Sequence, residues 1–299
     1  MTREIEEKIK DAQMVLVGIG KEPEEKFCRM EQDPQYARLL EQAEKLEQAE
    51  TIKQYLHLAW LRSHPDRKKK KAYERLAELL TGKNYFLVTL CTDDAIFGNG
   101  LDEGRIVTPC GGFRALQCPS LSCPSLPNTA RQEPEPHGPE DHDSEVRSPE
   151  AQVPETQVSE TEQPPCGIFS DAALWEEPVS RLEAGEDPGK IAFPRCPECG
   201  SLLAFNRITT PGYLEEGYLP QWEKYQKWLQ GTLNRKLCIL ELGAGMEYPS
   251  VIRFPFERVA FFNLKSELIR VHSRLYQMTA ELKDRGTPIQ ADPVEFLLG

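Results

Sequence analysis

Six short apolar runs punctuate this chain, and the stretches between them carry helical spacing. The runs are residues 13–18, "NYFLVTL" at 84–90, "GRIVTPC" at 104–110, "KLCILEL" at 236–242, "RVAFFNL" at 258–264 and "TPIQAD" at 287–292. Short apolar runs closed by turn formers predict buried strands, the last of them a short edge strand. Residues 2–12 predict a helix. From Glu31 to Leu80 the chain is rich in Leu, Ala, Glu, Gln and Lys, with Leu39, Leu40, Ala43 and Leu46 at helical spacing. "SHP" at 63–65 divides that stretch into at least two helices. Further helices are predicted at "SVIRFPFERV", 250–259, and "SELIRVHSRLYQMTAELKDR", 266–285. Strands alternating with helices predict an α/β fold, a Rossmann-like parallel sheet covered on both faces.

Composition changes this picture in one place. Hydrophobic residues make up 39% of the 299, and mean hydropathy is −0.53, low for a wholly packed chain. The deficit concentrates between Pro124 and Pro165, which is rich in Pro, Glu, Ser and Gln and poor in large apolar residues. Such a segment buries too little to offset its ordering entropy, so 124–165 is expected to be a disordered insert. It divides the chain into 1–123 and 166–299. Residues 166–185 are expected to hold a short helix around Trp175. The net charge of −12 lies mainly in the insert, where 132–165 hold ten acidic residues and one basic, Arg147. The remainder is nearly neutral, which argues against a nucleic-acid surface. "RKKKK" at 67–71 is expected to be a solvated helix face. No apolar run is long enough for a membrane span, and the charged N-terminus lacks a signal-peptide core, so a cytoplasmic location is expected.

Two features carry candidate chemistry. Cys118 and Cys123, spaced C-x4-C, and Cys196 and Cys199, in "CPECG", form two pairs that suit the knuckles of a tetrahedral structural zinc site. The alternative is four unrelated thiols. The nine cysteines are an odd number without an export signal, which argues against a disulfide framework. The second feature is a repeated turn. Apolar runs end in Gly18-Ile19-Gly20 and in Gly243-Ala244-Gly245. Glycine allows close approach to a phosphate or ribose at the carboxyl edge of a parallel sheet. Neither turn completes G-x-G-x-x-G, so spacing alone is equally compatible with plain strand-to-helix turns.

The order of these motifs resembles the sirtuin family of NAD-dependent protein deacylases and ADP-ribosyltransferases, and most of all its divergent branch linked to macrodomain proteins. The likeness is scattered over the chain outside 31–80 and the insert. It implies a Rossmann-like sheet with a helical lobe at about 30–80 and a zinc-ribbon lobe at about 110–125 and 190–210. It also implies NAD as cofactor, structural zinc, and a protein as substrate or partner. "VLVGIG" resembles the family's phosphate-binding turn, with Gly18 and Gly20. "TLCTD" stands where T-x-N-x-D lines the nicotinamide pocket, with Cys91 for the asparagine and Asp93 for the aspartate. The family's general-base histidine lies eight residues before the first zinc cysteine, which here is Cys110. "LELGAG", with Gly243 and Gly245, resembles the turn at the second ribose. Asn263 resembles the adenosine-ribose contact and Asp292 the adenine-side residue.

The departures bear on activity. Cysteine replaces both the pocket asparagine and the base, Lys21 and Glu22 follow Gly20 in place of the usual serine, and no Phe-Arg-Gly segment is evident. Cys110 is either a nucleophile or redox thiol, or with Cys91 a small apolar filler of one shared pocket. Asp93 either accepts the nicotinamide carboxamide or caps a turn. Two functions follow: a nicotinamide-releasing transferase, favouring ADP-ribosyl transfer to protein over lysine deacylation, with Cys110 and Asp93 as the catalytic candidates; or an inactive NAD- or ADP-ribose-binding module that acts through partners. Whether the chain is an enzyme stays open on sequence.

Overall fold

The computed structural model describes residues 2–25, 29–124 and 167–299. The stretch expected to be disordered, 124–165, lies outside the described residues except for Pro124. The first half contains α1 (Arg3–Asp11), β1 (Met14–Ile19), α2 (Glu22–Glu25), α3 (Pro34–Ala43), α4 (Ala49–Ser63), α5 (Arg67–Leu80), β2 (Asn84–Thr89), β3 (Ile106–Val107) and β4 (Gly111–Gln117). The second half contains β5 (Ile168–Phe169), α6 (Ala173–Glu183), β6 (Ala204–Arg207), α7 (Leu219–Gln230), β7 (Leu237–Leu242), α8 (Arg253–Phe262), β8 (Ser266–Val271), β9 (Gly286–Ile289) and α9 (Pro293–Leu298).

Six strands form a parallel sheet in the order β3-β2-β1-β7-β8-β9. The chain builds outward from β1 through β2 to β3, leaves, and returns on the other side of β1 as β7. The strand order therefore reverses between β1 and β7, and open parallel sheets bind ligands at the carboxyl end of such a switch. β1 and β7 are buried along their whole length. Val15, Val17, Ile19, Leu87, Leu240 and Ile269 pack on one face against Tyr73 and Leu76 of α5 and Phe296 of α9. Leu16, Val88, Ile239 and Leu268 pack on the other, against Tyr225 of α7 and Phe256 and Ala260 of α8. Two-sided burial accounts for runs that are apolar without alternation.

The helical and zinc-ribbon lobes share one core. Tyr36, Leu39, Tyr55 and Trp60 of α3 and α4 pack with Trp175 and Val179 of α6, and with Leu116 and Phe205 of the antiparallel sheet β5-β4-β6. The break between α4 and α5 has a local cause: Pro65 stops one helix, and Asp66 caps the next by accepting from the Lys68 and Lys69 amides at 2.9 and 3.0 Å.

Two expectations fail. "RVAFFNL" is not a strand: Arg258–Phe262 is the last part of α8. The strand lies in the segment expected to be helical, as β8. Val, Phe and Ile suit either state locally, and sheet burial decides, because Leu268, Ile269 and Val271 are fully enclosed while Phe261 and Phe262 are exposed. The basic run is also not wholly solvated. Lys69 is buried and forms an ion pair with Asp93.

Candidate functional site

At the carboxyl edge, the two glycine turns lie against each other. The amide of Gly20 donates to Leu242 O at 2.8 Å, and the amide of Glu22 to Gly243 O at 3.3 Å. The glycines serve different purposes. A β-carbon on Gly20 would lie 2.1 Å from Gly243 O, and one on Gly18 would lie 2.5 Å from the Phe256 ring. Gly243, at φ +65°, would place a β-carbon 2.9 Å from Glu22 Cβ and 3.0 Å from Pro23 Cδ. These three glycines are required by protein packing. Gly245 alone of the four faces open space, its nearest neighbour being His272 Nε2 at 3.8 Å.

That space is a cavity of about 330 Å³, lined by Lys21, Glu22, Gly245, Tyr248, His272 and Arg274 among others. Lys21 Nζ is 3.8 Å from Glu247 and 5.7 Å from the centre of the Tyr248 ring. The amides of Arg274 and Leu275 lie 3.0 and 3.2 Å from His272 Nδ1, and a β-carbon on Gly245 would lie 3.8 Å from Nε2 of the same ring. The buried Glu22 carboxylate accepts from the Ser273 amide at 3.3 Å and from its hydroxyl, and lies 3.3 Å from His272 Nδ1. Beneath the cavity, Arg270 of β8 donates to Glu241 of β7 at 2.6 and 3.0 Å and lies 2.8 Å from Glu257 of α8. Arg253 Nη1 donates to Ala244 O at 3.1 Å and Leu275 O at 2.9 Å, tying together two loops of the cavity wall.

Several residues singled out in the sequence are engaged elsewhere. Asn263 precedes β8 at the opposite, amino edge of the sheet, where its amide group donates to Thr232 O and Arg235 O at 3.0 and 3.1 Å. It cannot line the cavity. The turn that does follow the strand is His272-Ser273, which the misplaced strand concealed. Asp292 is at the right edge, but its carboxylate caps α9 by accepting from Val294 and Glu295 amides at 2.8 and 3.0 Å. Cys91 and Cys110 do not share a pocket: Cys91 packs on the α5 face and Cys110 on the α7–α8 face. The Cys91 thiol donates to Gly20 O at 3.2 Å, and burial pushes its pKa up. Burial pushes Cys110 to about 12, with Lys21 acting weakly the other way. Neither thiol is a base near neutral pH. Asp93 is held by Lys69 and by the Ala95 amide at 3.2 Å. It lines a separate cavity of about 310 Å³ between α4, α5 and the β2 turn.

A polar cluster joins the sheet to the lobes. Thr92 donates to Glu24 at 2.6 Å and accepts from Arg207 of β6 at 2.5 Å. Arg207 lies 4.5 Å from the centre of the Phe113 ring and 3.4 Å from His57 Nδ1. Burial, aided by Arg207, lowers the pKa of His57 to about 4. Asp94, at φ +55°, accepts from the Phe113 amide at 2.6 Å, and burial raises it to about 7. These residues come from separate parts of the chain, and apart from Thr92, which lies in "TLCTD", no motif in the sequence announced them.

The four lobe cysteines converge. Cys118 and Cys199 sulfurs are 3.5 Å apart, Cys123 and Cys196 sulfurs 3.6 Å, and all four lie within 4.8 Å of one another. A tetrahedron with zinc–sulfur bonds near 2.3 Å has edges of about 3.8 Å, so the set could hold a zinc ion. "CPECG" turns as a knuckle: Gly200, at φ +76°, donates to Cys196 O at 2.9 Å.

No family model matches the chain. A protein ADP-ribosyltransferase of Staphylococcus aureus is 25% identical over 102 residues, covering 33% of this chain and 32% of that relative's length. A solved structure described as the structural basis for mechanism and regulation of Sir2 enzymes aligns at a TM-score of 0.50 and 14% identity, over 99% of this chain and 93% of that one. The fold is that of the sirtuins. A Sir2 homologue solved with NAD aligns at 0.47 and 14% identity, over 99% and 91% of the two chains. Among the described residues, no helix is long and apolar enough to cross a membrane.

Proposed function

We propose that this sirtuin-like chain binds NAD in the cavity at the β1–β7 switch, and that its chemistry is release of nicotinamide with transfer of ADP-ribose to a protein. The observation that carries the reading is the position of that cavity, open beside Gly245 and lined by Lys21, His272, Arg274 and Glu22. Cationic groups beside a carboxylate suit a ligand that carries both a diphosphate and hydroxyls. The partial likeness to a protein ADP-ribosyltransferase supports transfer over deacylation. NAD would supply the electrophilic ribose carbon. The part of this chain is to orient the dinucleotide and to bring its reactive end to the junction of sheet and lobes, near Glu24, Thr92 and Arg207. Zinc is proposed as a structural ion held by Cys118, Cys123, Cys196 and Cys199, which leave no open coordination position.

A second reading has its own support. Cys110 is protonated, Cys91 is bonded to Gly20, and Asp93 is paired with Lys69. A module that binds ADP-ribose without consuming NAD is consistent with those three facts. Calorimetry with NAD and with ADP-ribose, followed by nicotinamide release over hours, separates the two. Binding with release supports the transferase. Binding of both ligands without release, in the presence of a protein extract as acceptor, supports the module. Binding of neither ligand overturns both.

A further inference from the structure

We propose that the groove between α7 and α8 docks an acidic amphipathic helix of a partner protein. The inference is independent of the NAD reading, because the groove reaches Asn263 at the amino edge of the sheet, opposite the cavity. Its volume is about 710 Å³, with Leu229 and Leu233 on one wall and Pro255, Val259 and Phe262 on the other. Each wall repeats at the three-and-four spacing of one helix face. Leu264, Phe262 and Leu233, at 77, 64 and 62%, are the three most exposed large apolar side chains among the described residues. They come together because β7 and β8 are neighbours, and Asn263 ties their entry loops by donating to Thr232 O and Arg235 O. Single exposed leucines need no explanation, but an apolar patch gathered around a groove marks a docking surface.

Charge selects the occupant. Arg258 lines the groove, and Arg235 and Lys265 follow Leu233 and Leu264 in the two loops. All three are exposed, and among the described residues none belongs to an ion pair. The acids of the same elements are directed elsewhere. Glu257 lies 2.8 Å from Arg270, Glu267 lies 3.1 Å from Lys8, and Glu223 does not line the groove. A partner with apolar residues on one face and carboxylates beside them matches both the groove and its rim. A second copy does not, since a two-fold contact on this patch would set Arg235, Arg258 and Lys265 against their own counterparts. Shape favours a helix. The groove runs between two helices on one face of the sheet, where no strand edge is available to extend. The 12 residues of α7 offer about three turns of contact.

The experiment is selection of displayed peptides of about 15 residues, roughly four helical turns, on the full chain, with subtraction on Phe262→Ser. Retained peptides should repeat apolar residues at i, i+3 or i+4, and i+7, and should be enriched in Asp and Glu. A synthetic peptide of the retained sequence is then titrated by fluorescence anisotropy. Phe262→Ser should weaken its binding at least about 10-fold, as loss of an aromatic anchor does. Arg258→Glu should weaken it about 10-fold and reduce its salt dependence. Both side chains are exposed, so both variants should melt within about 2 °C of wild type. Should Phe262→Ser not fold, Leu233→Ser and Arg258→Glu still decide. No enrichment over the subtracted variant, enrichment of neutral or basic peptides, or equal binding by folded variants overturns the proposal. So does concentration-dependent dimerisation of wild type that Phe262→Ser abolishes, which would make the occupant a second copy. Binding to phosphatidylserine–phosphatidylcholine vesicles that Phe262→Ser abolishes overturns it in favour of a lipid surface.

Discussion

Gly243 and Gly245 are two residues apart, yet the structure predicts opposite consequences for substituting them. Gly243→Ala places a β-carbon on a residue at φ +65°, which costs an L-residue about 1–2 kcal/mol. The same carbon meets Glu22 Cβ at 2.9 Å, Pro23 Cδ at 3.0 Å and Pro293 Cγ at 3.1 Å, on rigid or backbone-near atoms that have little room to yield. Overpacking of that kind adds about 1–3 kcal/mol. The variant should therefore lose roughly 2–5 kcal/mol of stability, a fall in Tm of several degrees or more. Gly245→Ala meets nothing nearer than His272 Nε2 at 3.8 Å, so its melting should match wild type. Gly245→Val then adds two methyl groups to the cavity mouth and should weaken NAD binding at least 10-fold with Tm unchanged within about 2 °C, since the clash is with ligand alone. Thermal melts and calorimetry on the three variants are the assay. A Gly243→Ala protein that melts like wild type refutes the packing argument. A Gly245→Val protein that binds NAD normally shows that the cavity is not the nucleotide site.

The four converging thiols should retain about one zinc per chain when the protein is purified without added metal, and Cys199→Ser should lower that content and loosen the lobe; plasma emission spectroscopy with melting checks both. Glu241→Ala leaves the Arg270 guanidinium enclosed without its main partner and should cost about 3–5 kcal/mol in urea unfolding; a loss below 1 kcal/mol would contradict the burial of that pair. His57 is held at about 4, below its unfolded value, so the folded state binds fewer protons there. Its contribution is present above about pH 6.5 and lost as pH falls toward 4, and His57→Gln should flatten the acid limb of a stability–pH curve.

Much of the sheet was determined by sequence alone. β1, β2 and β7 are buried on both faces, so their apolar runs needed no partner information to be recognised as parallel strands. The cysteine pairs were legible for a similar reason, because ligand spacing within a knuckle is local even when the pairs are far apart. The last third of the chain was not. "RVAFFNL" and "SELIRV" have comparable local preferences, and only docking beside β7 made the second one the strand. That choice placed the turn following the strand at His272 and Ser273, at the opposite edge of the sheet from Asn263. The glycines show the same division. Their spacing revealed turns, but only the tertiary structure distinguished Gly20 and Gly243, filled from outside by neighbouring protein atoms, from Gly245, which faces a cavity. Likewise the Lys69–Asp93 pair and the Glu24–Thr92–Arg207 cluster join residues whose proximity depends on how the lobes close on the sheet. Periodicity records which side of an element is buried; it carries no information about which distant side chain will be buried against it.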